Sequence, residues 1–252
     1  MEFKNKNVLI TGGSKGIGRA TAIAFANKGA NVAINYKSDD LGAKETLSLL
    51  KKGNHMLLKG DVSDEGVPEV LINDFIKKYK TLDVLINNAG VAIFHEIDKV
   101  SFEDWKDAWQ TTMNTNLISV ANLCYWASKE MIKNNGGRIV NVSSRGAFRG
   151  EPNMPAYGSS KAGLNSLSQS IAKSLAKYNI GVGVVAPGFT DTEMAKSALT
   201  DEEKESLLLE SPFKRMAEPD EVAHTILFLA SKQALYTSGA IIDVNGASYL
   251  RT

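Results

Sequence analysis

The amino-acid sequence predicts an α/β fold with a single doubly wound parallel sheet of about seven strands and helices on both faces. Two observations carry this prediction. Short apolar runs alternate with helical segments of roughly 10–20 residues, as in βαβ units, whose right-handed crossovers cover both sheet faces. No Pro/Gly/Ser-rich linker, low-complexity block or repeat interrupts the 252 residues. We therefore expect one domain spanning residues 1–252.

The predicted strands are short, apolar and bounded by turn residues. They cover residues 8–10, 31–36, 55–59, 83–86, 138–142, 180–185 and 240–244. Helices are expected over residues 19–28, from about Asp39, and from Pro219. The polar stretch 190–212 breaks the alternation, with a helical pattern over 195–210. Because it lies on the carboxyl side of the sixth strand, it predicts a lid over a ligand site.

The composition argues against nucleic-acid binding and against membrane insertion. Hydrophobic residues make up 43% and charged residues 23%, typical of globular proteins, and the net charge of +1 gives no indication of nucleic-acid binding. No apolar run reaches the roughly 18 residues of a membrane span. The first residues lead straight into a strand, so we expect no secretory signal. The one cysteine, Cys124, is interpreted as a core thiol rather than a catalytic one, in a cytoplasmic protein.

A glycine-rich loop follows the first strand and opens the first helix, which is the context of a dinucleotide-binding turn. Glycines at positions 12, 16 and 18 let the backbone approach a pyrophosphate, and the helix N-terminus favours an anion. The alternative is a glycine turn that only packs tightly. The loop residues expected to bind cofactor are Gly12, Ser14, Lys15, Gly16, Ile17 and Gly18.

A candidate acid/base lies near the middle of the chain, where Tyr157 and Lys161 stand four residues apart and Ser144 lies thirteen residues upstream. The spacing alone is weak evidence, because Tyr125 and Lys129 repeat it and either pair could decorate a helix face. Context separates them. Tyr157 follows a strand ending in two serines and lies near a helix start, whereas Tyr125 is expected in mid-helix without a companion serine.

The residue types suit hydride transfer between a nicotinamide and a carbonyl or alcohol carbon, which also moves a proton to or from oxygen. A phenol with a pKa near 10 is only about 0.1% ionised at pH 7. Lowering that pKa by about three units takes about 4 kcal/mol of phenolate stabilisation. We expect the Lys161 ammonium and the positive nicotinamide to supply it.

Together these motifs resemble the short-chain dehydrogenase/reductase family, and the resemblance covers essentially the whole chain. The matching segments are the 11–18 loop, Asp61-Val62, Asn87-Asn88-Ala89-Gly90, Asn116, Val142-Ser143-Ser144, Tyr157-x3-Lys161 and Pro187-Gly188-x3-Thr192. The resemblance implies a Rossmann-type fold and a catalytic set of Asn116, Ser144, Tyr157 and Lys161. It implies further cofactor contacts from Asp61, Val62, Asn88, Ala89, Gly90, Tyr157, Lys161, Pro187, Gly188 and Thr192.

The same resemblance assigns roles. Ser144 would hold the substrate oxygen, Lys161 the nicotinamide ribose, and Asn116 a water that links Lys161 to solvent. Thr192 would bond the carboxamide. The chain departs from the family pattern at Ala186, where Asn is common before Pro-Gly, and at Asn245-Gly246-Ala247, where Asp-Gly-Gly is common.

Cofactor choice depends on the end of the second strand, where NAD binders place Asp or Glu to hold the ribose 2′-hydroxyl. This chain has Tyr36-Lys37-Ser38 there. Lys37 and Lys15 suit a 2′-phosphate, so we predict a preference for NADP(H). NAD(H) stays open as an alternative if Asp39 or Asp40 reaches the ribose, or if Lys37 is only a solvated surface lysine.

The predicted substrate is a small-molecule carbonyl or alcohol, and the resemblance extends to 3-oxoacyl-thioester reductases and to sugar or polyol dehydrogenases. Carrier-protein reductases of this family tend to carry basic patches at the helix ends that correspond to 133–135 and 177–179, which are less basic here; this weighs against an acyl-carrier substrate without excluding it. Candidate pocket residues are Phe94, Arg145, Phe148, Met154 and Phe189. Arg145 is expected either in an ion pair or on an anionic substrate group. His95 is interpreted as a packing or surface histidine, and no metal site is expected.

Two further expectations concern assembly and the competing function. The resemblance implies a homotetramer, with a dimer as the second choice. The competing hypothesis is a non-catalytic dinucleotide-binding regulatory protein on the same fold, since fold does not dictate function. Neither the physiological substrate nor the reaction direction follows from the sequence.

Overall fold

The computed structural model describes residues 2–193 and 209–251, and a seven-stranded sheet forms its centre. The strands are β1 (Asn7–Ile10), β2 (Asn31–Tyr36), β3 (Met56–Lys59), β4 (Val84–Asn87), β5 (Gly137–Val142), β6 (Ile180–Pro187) and β7 (Ile241–Val244). All neighbouring strands are parallel, in the order β3-β2-β1-β4-β5-β6-β7. The predicted fold class is confirmed. Strand β6 runs two residues farther than predicted because Pro187 still lies opposite Val244 of β7.

The helices connect these strands on both faces of the sheet. Within the described residues, the helices with defined ends are α1 (Gly16–Asn27), α2 (Asp40–Leu49), α3 (Val67–Tyr79), α4 (Phe102–Met113), α5 (Ser119–Lys133), α6 (Gly146–Arg149), α7 (Pro155–Leu175) and α8 (Pro219–Ala230). A π-helical turn at Asn114–Ile118 joins α4 to α5. Helix α1 begins three residues earlier than predicted, because the end of the glycine loop forms its first turn.

Each face of the sheet carries its own apolar core, since neighbouring side chains of a strand point to opposite faces. In β1, Val8 and Ile10 pack on one face with Phe25 of α1 and Ile226 of α8. Leu9 packs on the other face in the core that includes α3, α5 and α7. Strands buried on both faces need continuous apolar runs, which explains the pattern that made them recognisable.

Strand order reverses between β1 and β4, and in open α/β sheets the ligand crevice lies outside the carboxyl ends of the strands at that point. The loops after β1, β4, β5 and β6 carry the predicted site residues. The predicted lid falls largely on residues 194–208, which lie outside the described residues. In its described part, Thr190 forms a parallel bridge to Ala217. Within residues 2–193 and 209–251, no helix is both long and apolar enough to cross a membrane.

Candidate active site

The glycine loop after β1 is built for close backbone approach. Gly12 has φ of 62°, and a Cβ there would lie 2.9 Å from the Ala89 Cα, so only glycine fits without strain. The Thr11 hydroxyl below it accepts hydrogen bonds from the backbone N–H groups of Asn88 and Ala89, each at 3.0 Å. The loop after β4 is thereby held against the loop after β1.

The first turn of α1 fits an anionic group. Its N-cap, Lys15, makes no side-chain capping bond, so that the N–H groups at this helix start are free of the usual side-chain acceptor. The Ser14 carbonyl is held by Arg19 (2.8 Å) and Thr46 (2.9 Å), which fixes the loop. The Lys15 ammonium lies 3.0 Å from Glu193, an exposed pair that joins the loop to the chain after β6.

Residues 88–90 join this loop to the catalytic set. The Asn88 amide donates to the carbonyls of Thr11 (3.0 Å) and Gly12 (2.9 Å). Two residues later, a Cβ on Gly90 would lie 3.3 Å from Asn116 Oδ1 and 3.5 Å from Lys161 Nζ. A single three-residue segment therefore touches both the predicted cofactor loop and the predicted catalytic lysine.

Lys161 is buried on α7, with 4% of its surface exposed. Its ammonium donates to the Val142 carbonyl at the end of β5, at 2.8 Å. Burial disfavours the charged form and lowers the pKa of Lys161 to about 8. This lysine can therefore exchange its proton near neutral pH, unlike a surface lysine.

The Tyr157 phenol lies one helical turn from Lys161, whose Nζ is 5.7 Å from the ring centroid. Burial raises the pKa of Tyr157, a hydrogen bond with Ser144 lowers it, and the nearby Glu151 carboxylate raises it. The net direction is upward. For the chain by itself, burial therefore dominates the pKa of Tyr157. The expected lowering by Lys161 together with the nicotinamide stays a prediction.

Ser143 and Ser144 point to different sides, as the alternation along an extended chain predicts. The Ser143 hydroxyl donates to the Lys161 carbonyl at 3.4 Å and is buried. The Ser144 hydroxyl bonds with the Tyr157 phenol and accepts from the Gly146 N–H at 3.0 Å. Ser144 is thus the serine that faces the phenol.

Asn116 lies in the π-helical turn and is fully buried. Its amide nitrogen donates to the Val91 carbonyl (2.9 Å) and to the Ser160 hydroxyl (3.1 Å), and its oxygen accepts from the Val91 N–H (2.8 Å). The extra residue of a π turn re-aims the helix at this position, a feature frequent at functional sites. Asn116 therefore fixes the loop after Gly90 beside Lys161.

The residues predicted to select the cofactor lie at the carboxyl ends of β2 and β3. Lys37 pairs with Asp61 at 2.5 Å. Burial raises the pKa of Asp61, but hydrogen bonds from Lys37 and Ser63 outweigh burial and hold the pKa below its usual value. The other predicted contact here, Val62, is buried in the apolar core.

Asp39 and Asp40, the two carboxylates that could hold the ribose 2′-hydroxyl of NAD(H), bind other groups of the chain. Asp40 accepts from the Tyr36 hydroxyl (2.9 Å) and from Lys59 (2.8 Å). Asp39 caps α2 by accepting from the Gly42 N–H at 2.9 Å. This bond and one from the Ser14 side chain lower the pKa of Asp39, so its carboxylate also faces the glycine loop.

The chain after β6 approaches the same loop. Gly188 donates its N–H to the Val244 carbonyl at 3.0 Å, and its missing Cβ lets Asn245 pack closely. The Thr192 methyl lies 3.1 Å from where a Gly16 Cβ would stand, which places Thr192 against the start of α1. Ile17 packs partly against the core behind it.

The repeated pair Tyr125 and Lys129 shows why spacing alone cannot identify the site. Its ammonium lies 5.3 Å from the ring centroid, about as close as in the Tyr157 pair. Tyr125 is 54% exposed in the middle of α5. Burial and the Ser144 hydroxyl, rather than the distance between ring and ammonium, distinguish Tyr157.

In the described part of the chain, candidate pocket residues line different cavities. Arg145 and Phe189 line a cavity of about 810 Å³ near the carboxyl end of β7, whereas Phe94 lines another of about 250 Å³ between α4 and the loop after β4. Phe148 lies under the Arg251 guanidinium, 4.3 Å away.

Arg145 forms an ion pair, which is one of the two roles that the sequence left open for it. It is buried, pairs with Glu210 at 2.5 Å and donates to the Ser248 hydroxyl at 2.7 Å. Arg149 also pairs with Glu210 (3.1 Å) and with Glu151 (3.4 Å), so that three Arg–Glu ion pairs follow Ser144 in this part of the structure. Sequence reasoning missed Glu151, although its charge beside the Arg149 position was a usable signal.

His95 is buried, as the packing interpretation predicted. Sequence reasoning did not anticipate that its ring contacts the start of α7. Among the described residues, no group of three or more His, Cys, Asp or Glu side chains could hold a metal ion.

Known proteins of similar sequence and structure place the chain in a family. The family model described as enoyl-(acyl carrier protein) reductase matches residues 12–247. The 3-oxoacyl-[acyl-carrier-protein] reductase FabG of Chlamydia trachomatis is 37% identical over 244 residues, covering 96% of each chain. That of Staphylococcus aureus is 36% identical over 247 residues, covering 97% of this chain and 98% of the relative.

A solved structure agrees with this assignment. The crystal structure of a putative short-chain alcohol dehydrogenase from Sinorhizobium meliloti superimposes with a TM-score of 0.91 at 30% identity, covering 98% of this chain and 97% of that one. The sheet order, the glycine loop and the near full-length matches agree with each other. The chain belongs to the short-chain dehydrogenase/reductase family and is an NAD(P)-dependent oxidoreductase.

Proposed function

We propose that this protein is an NADP(H)-preferring carbonyl reductase in which Tyr157 is the acid/base. The observation that carries the proposal is the segment 88–90, because Asn88 holds the glycine loop while Gly90 lies against Asn116 and Lys161. These contacts support the proposal that the predicted cofactor loop and the predicted proton donor belong to one site.

The chain's own residues divide the work as follows. When bound, the nicotinamide supplies or accepts the hydride. Ser144 binds the substrate oxygen, and the Tyr157 phenol donates its proton to that oxygen. Because burial raises the pKa of Tyr157, the phenol stays protonated at neutral pH, which favours carbonyl reduction over alcohol oxidation. Lys161 and Asn116 position the donor and connect it to solvent.

The decisive test replaces Tyr157 and compares it with the repeated pair. Tyr157→Phe removes the proton donor and should lower kcat at least about a hundredfold, a typical contribution of a positioned acid/base. Tyr125→Phe removes the same hydroxyl from an exposed tyrosine and should leave kcat unchanged. Equal turnover by Tyr157→Phe and wild type would refute the assignment. Tight cofactor binding without turnover of any substrate would instead favour a regulatory protein.

NADP(H) preference is supported by Lys15 and Lys37 and by the other partners of the acidic alternatives. Asp40 is engaged by Tyr36 and Lys59. The Lys37→Ala variant loses one positive charge from the proposed 2′-phosphate site. Its KM for NADPH should rise about tenfold, and its KM for NADH should change little. The control Lys52→Ala alters an exposed lysine that precedes β3, at the opposite end of the parallel strands from Lys37. Equal effects on both cofactors would contradict the assignment, and Asp39 would be the next residue to test.

3-Oxoacyl thioesters are the first substrates to test, because the FabG relatives are named reductases of 3-oxoacyl-[acyl-carrier-protein]. A compact hydroxylated carbonyl is the second candidate, favoured by the charged pair Arg149–Glu151 beside Tyr157. Acetoacetyl-CoA, the corresponding carrier-protein thioester and a set of keto-sugars, assayed with NADPH, distinguish the two. Turnover of keto-sugars alone would exclude the thioester assignment.

We further propose a homotetramer in the cytoplasm, built from one domain with a substrate lid over about 190–212. Exposed apolar side chains on α5 and α8, such as Tyr125 and Phe228, support self-association. The buried unpaired Cys124 supports a reducing compartment. Light scattering after size-exclusion chromatography would measure the assembly, and a monomer at micromolar concentration would refute it.

A further inference from the structure

His95 contacts the helix that carries the proposed proton donor. Its residue surface is 1% exposed, and its ring packs edge-on against Trp105 with centroids 5.2 Å apart. Nδ1 lies 2.7 Å from the Ile93 carbonyl oxygen, and Nε2 lies 3.2 Å from the Ala156 backbone nitrogen. Its own backbone N–H donates to the Asn153 carbonyl at 3.0 Å. The ring is therefore fixed on two sides.

These partners determine the protonation state of the ring. A carbonyl oxygen only accepts a hydrogen bond, so Nδ1 must carry a proton and donate to Ile93. A backbone N–H only donates, so Nε2 must be unprotonated and accept from Ala156. Only the neutral imidazole with its proton on Nδ1 makes both bonds.

The bond to Ala156 lies in the first turn of α7, next to Tyr157. Pro155 has no N–H, and the Tyr157 N–H bonds to the Met154 carbonyl at 2.9 Å. The N-cap residue, Met154, provides no side-chain acceptor. His95 therefore supplies the side-chain acceptor that this helix start otherwise lacks.

We propose that neutral His95 is a positioning residue for Tyr157, and that protonation of its imidazole lowers turnover in acid. The proposal rests on the proposed role of Tyr157. A proton on Nε2 would face the Ala156 N–H donor to donor, and the added charge would lie at the positive end of α7. The start of α7 would shift, and with it the phenol that must reach the substrate oxygen.

Groups around the ring act in both directions. The titratable and charged groups on its own loop are Glu96, Asp98 and Lys99, and those on α4 are Glu103, Asp104, Lys106 and Asp107. Those on the loop before α7 and on the first two turns of α7 are Glu151, Tyr157 and Lys161. Asp104 and Asp107 line the 250 Å³ cavity together with His95, which places negative charge on one side of the ring. The N-terminus of α7 places positive partial charge on the other side.

The test uses two exchanges of His95 that differ in where they place an acceptor. His95→Gln extends an amide oxygen to the Nε2 position and cannot gain a proton, whereas the shorter Asn reaches only the Nδ1 position. At pH 8, His95→Gln should keep kcat within about threefold of wild type, and His95→Asn should lose about tenfold or more, because Ala156 then lacks its partner. His224→Gln, an exposed histidine on α8, is the matched control.

The pH profile separates positioning from mere packing. As the pH falls from about 8 to 5.5, kcat of wild type and of His224→Gln should drop relative to that of His95→Gln, by about fivefold or more. A ratio that stays constant with pH overturns the proposal. An inactive Tyr157→Phe with a constant ratio refutes only the role of His95, whereas an active Tyr157→Phe refutes the proposed function itself.

A second measurement needs no variant and guards against misfolding. In protein with 15N-labelled histidine, the imidazole nitrogen shifts of His95 at pH 8 should show the proton on Nδ1. Backbone amide exchange at Ala156 should accelerate at least about fivefold more than that at mid-helix amides of α7 when His95 becomes protonated. A proton on Nε2 at pH 8, or uniform exchange along α7, would overturn the proposal.

Discussion

Replacing Lys161 by methionine should remove activity yet reveal an energetic cost that this lysine imposes on the fold. Lys161 is 4% exposed, and burial lowers its pKa from 10.5 to about 8. A group whose pKa falls on folding binds its proton more weakly in the native chain than in the unfolded chain. Its contribution is therefore destabilising below pH 8, and the destabilisation is relieved as the pH rises from about 8 to 10.5.

The magnitude follows from the same pKa. A shift of about 2.5 units corresponds to about 3 kcal/mol between the two limits, and to about 2 kcal/mol between pH 7 and 9.5. The difference in free energy of unfolding between wild type and Lys161→Met should therefore move in favour of wild type by about 2 kcal/mol over that pH range. Other titrating groups occur in both proteins and cancel from the difference.

Urea unfolding of both proteins at several pH values, followed by fluorescence and circular dichroism, measures this difference. The variant should show no turnover and still unfold cooperatively in urea, which shows that the loss of activity is not a loss of folding. A difference that does not change between pH 7 and 9.5 would refute the reasoning. Lys161 would then be hydrated in the native protein, and its bond to Val142 would not be a desolvated one.

Three other exchanges test separate parts of the structure. Gly12→Ala places a methyl group against the Ala89 backbone at a residue with positive φ. We expect the free energy of unfolding, measured in urea, to fall by about 1–3 kcal/mol and KM for NADPH to rise strongly. An unchanged KM would contradict this expectation. Glu210→Ala should lower the free energy of unfolding by about 1 kcal/mol or more beyond the effect of Arg145→Met, because it leaves the buried Arg145 guanidinium without its carboxylate. A larger loss of stability in Arg145→Met than in Glu210→Ala would contradict the buried pair. Burial raises the pKa of Cys124 to about 12, so a thiol reagent at pH 8 should react only at the rate of unfolding, and fast labelling of the native protein would refute its burial.

Much of the fold was predictable because it depends on regular patterns. Continuous apolar runs marked strands that are buried on both faces, and the glycine loop marked the start of α1. The ends of elements were less predictable, since they depend on partners elsewhere in the chain. Pro187, for instance, belongs to β6 because Val244 of β7 lies beside it.

The candidate site was predictable where chemistry requires a residue type at a fixed spacing. Ser144, Tyr157 and Lys161 come together as expected, and their roles stay predictions. The direction of the Tyr157 pKa was not predictable, because it depends on how deeply folding buries the phenol. Contacts between distant segments were equally hidden: nothing in the sequence around His95 indicates that Ala156, sixty-one positions away, needs an acceptor.

The short bridge formed by residues 88–90 has a thermodynamic consequence. A ligand in the glycine loop that changes the proton affinity of Lys161 through this segment must, by reciprocity, have its own affinity changed by that proton. Calorimetric titrations in buffers of different ionisation enthalpy would then show protons released or taken up on binding. The affinity for the dinucleotide and the number of protons bound by the protein would then report on the same equilibrium.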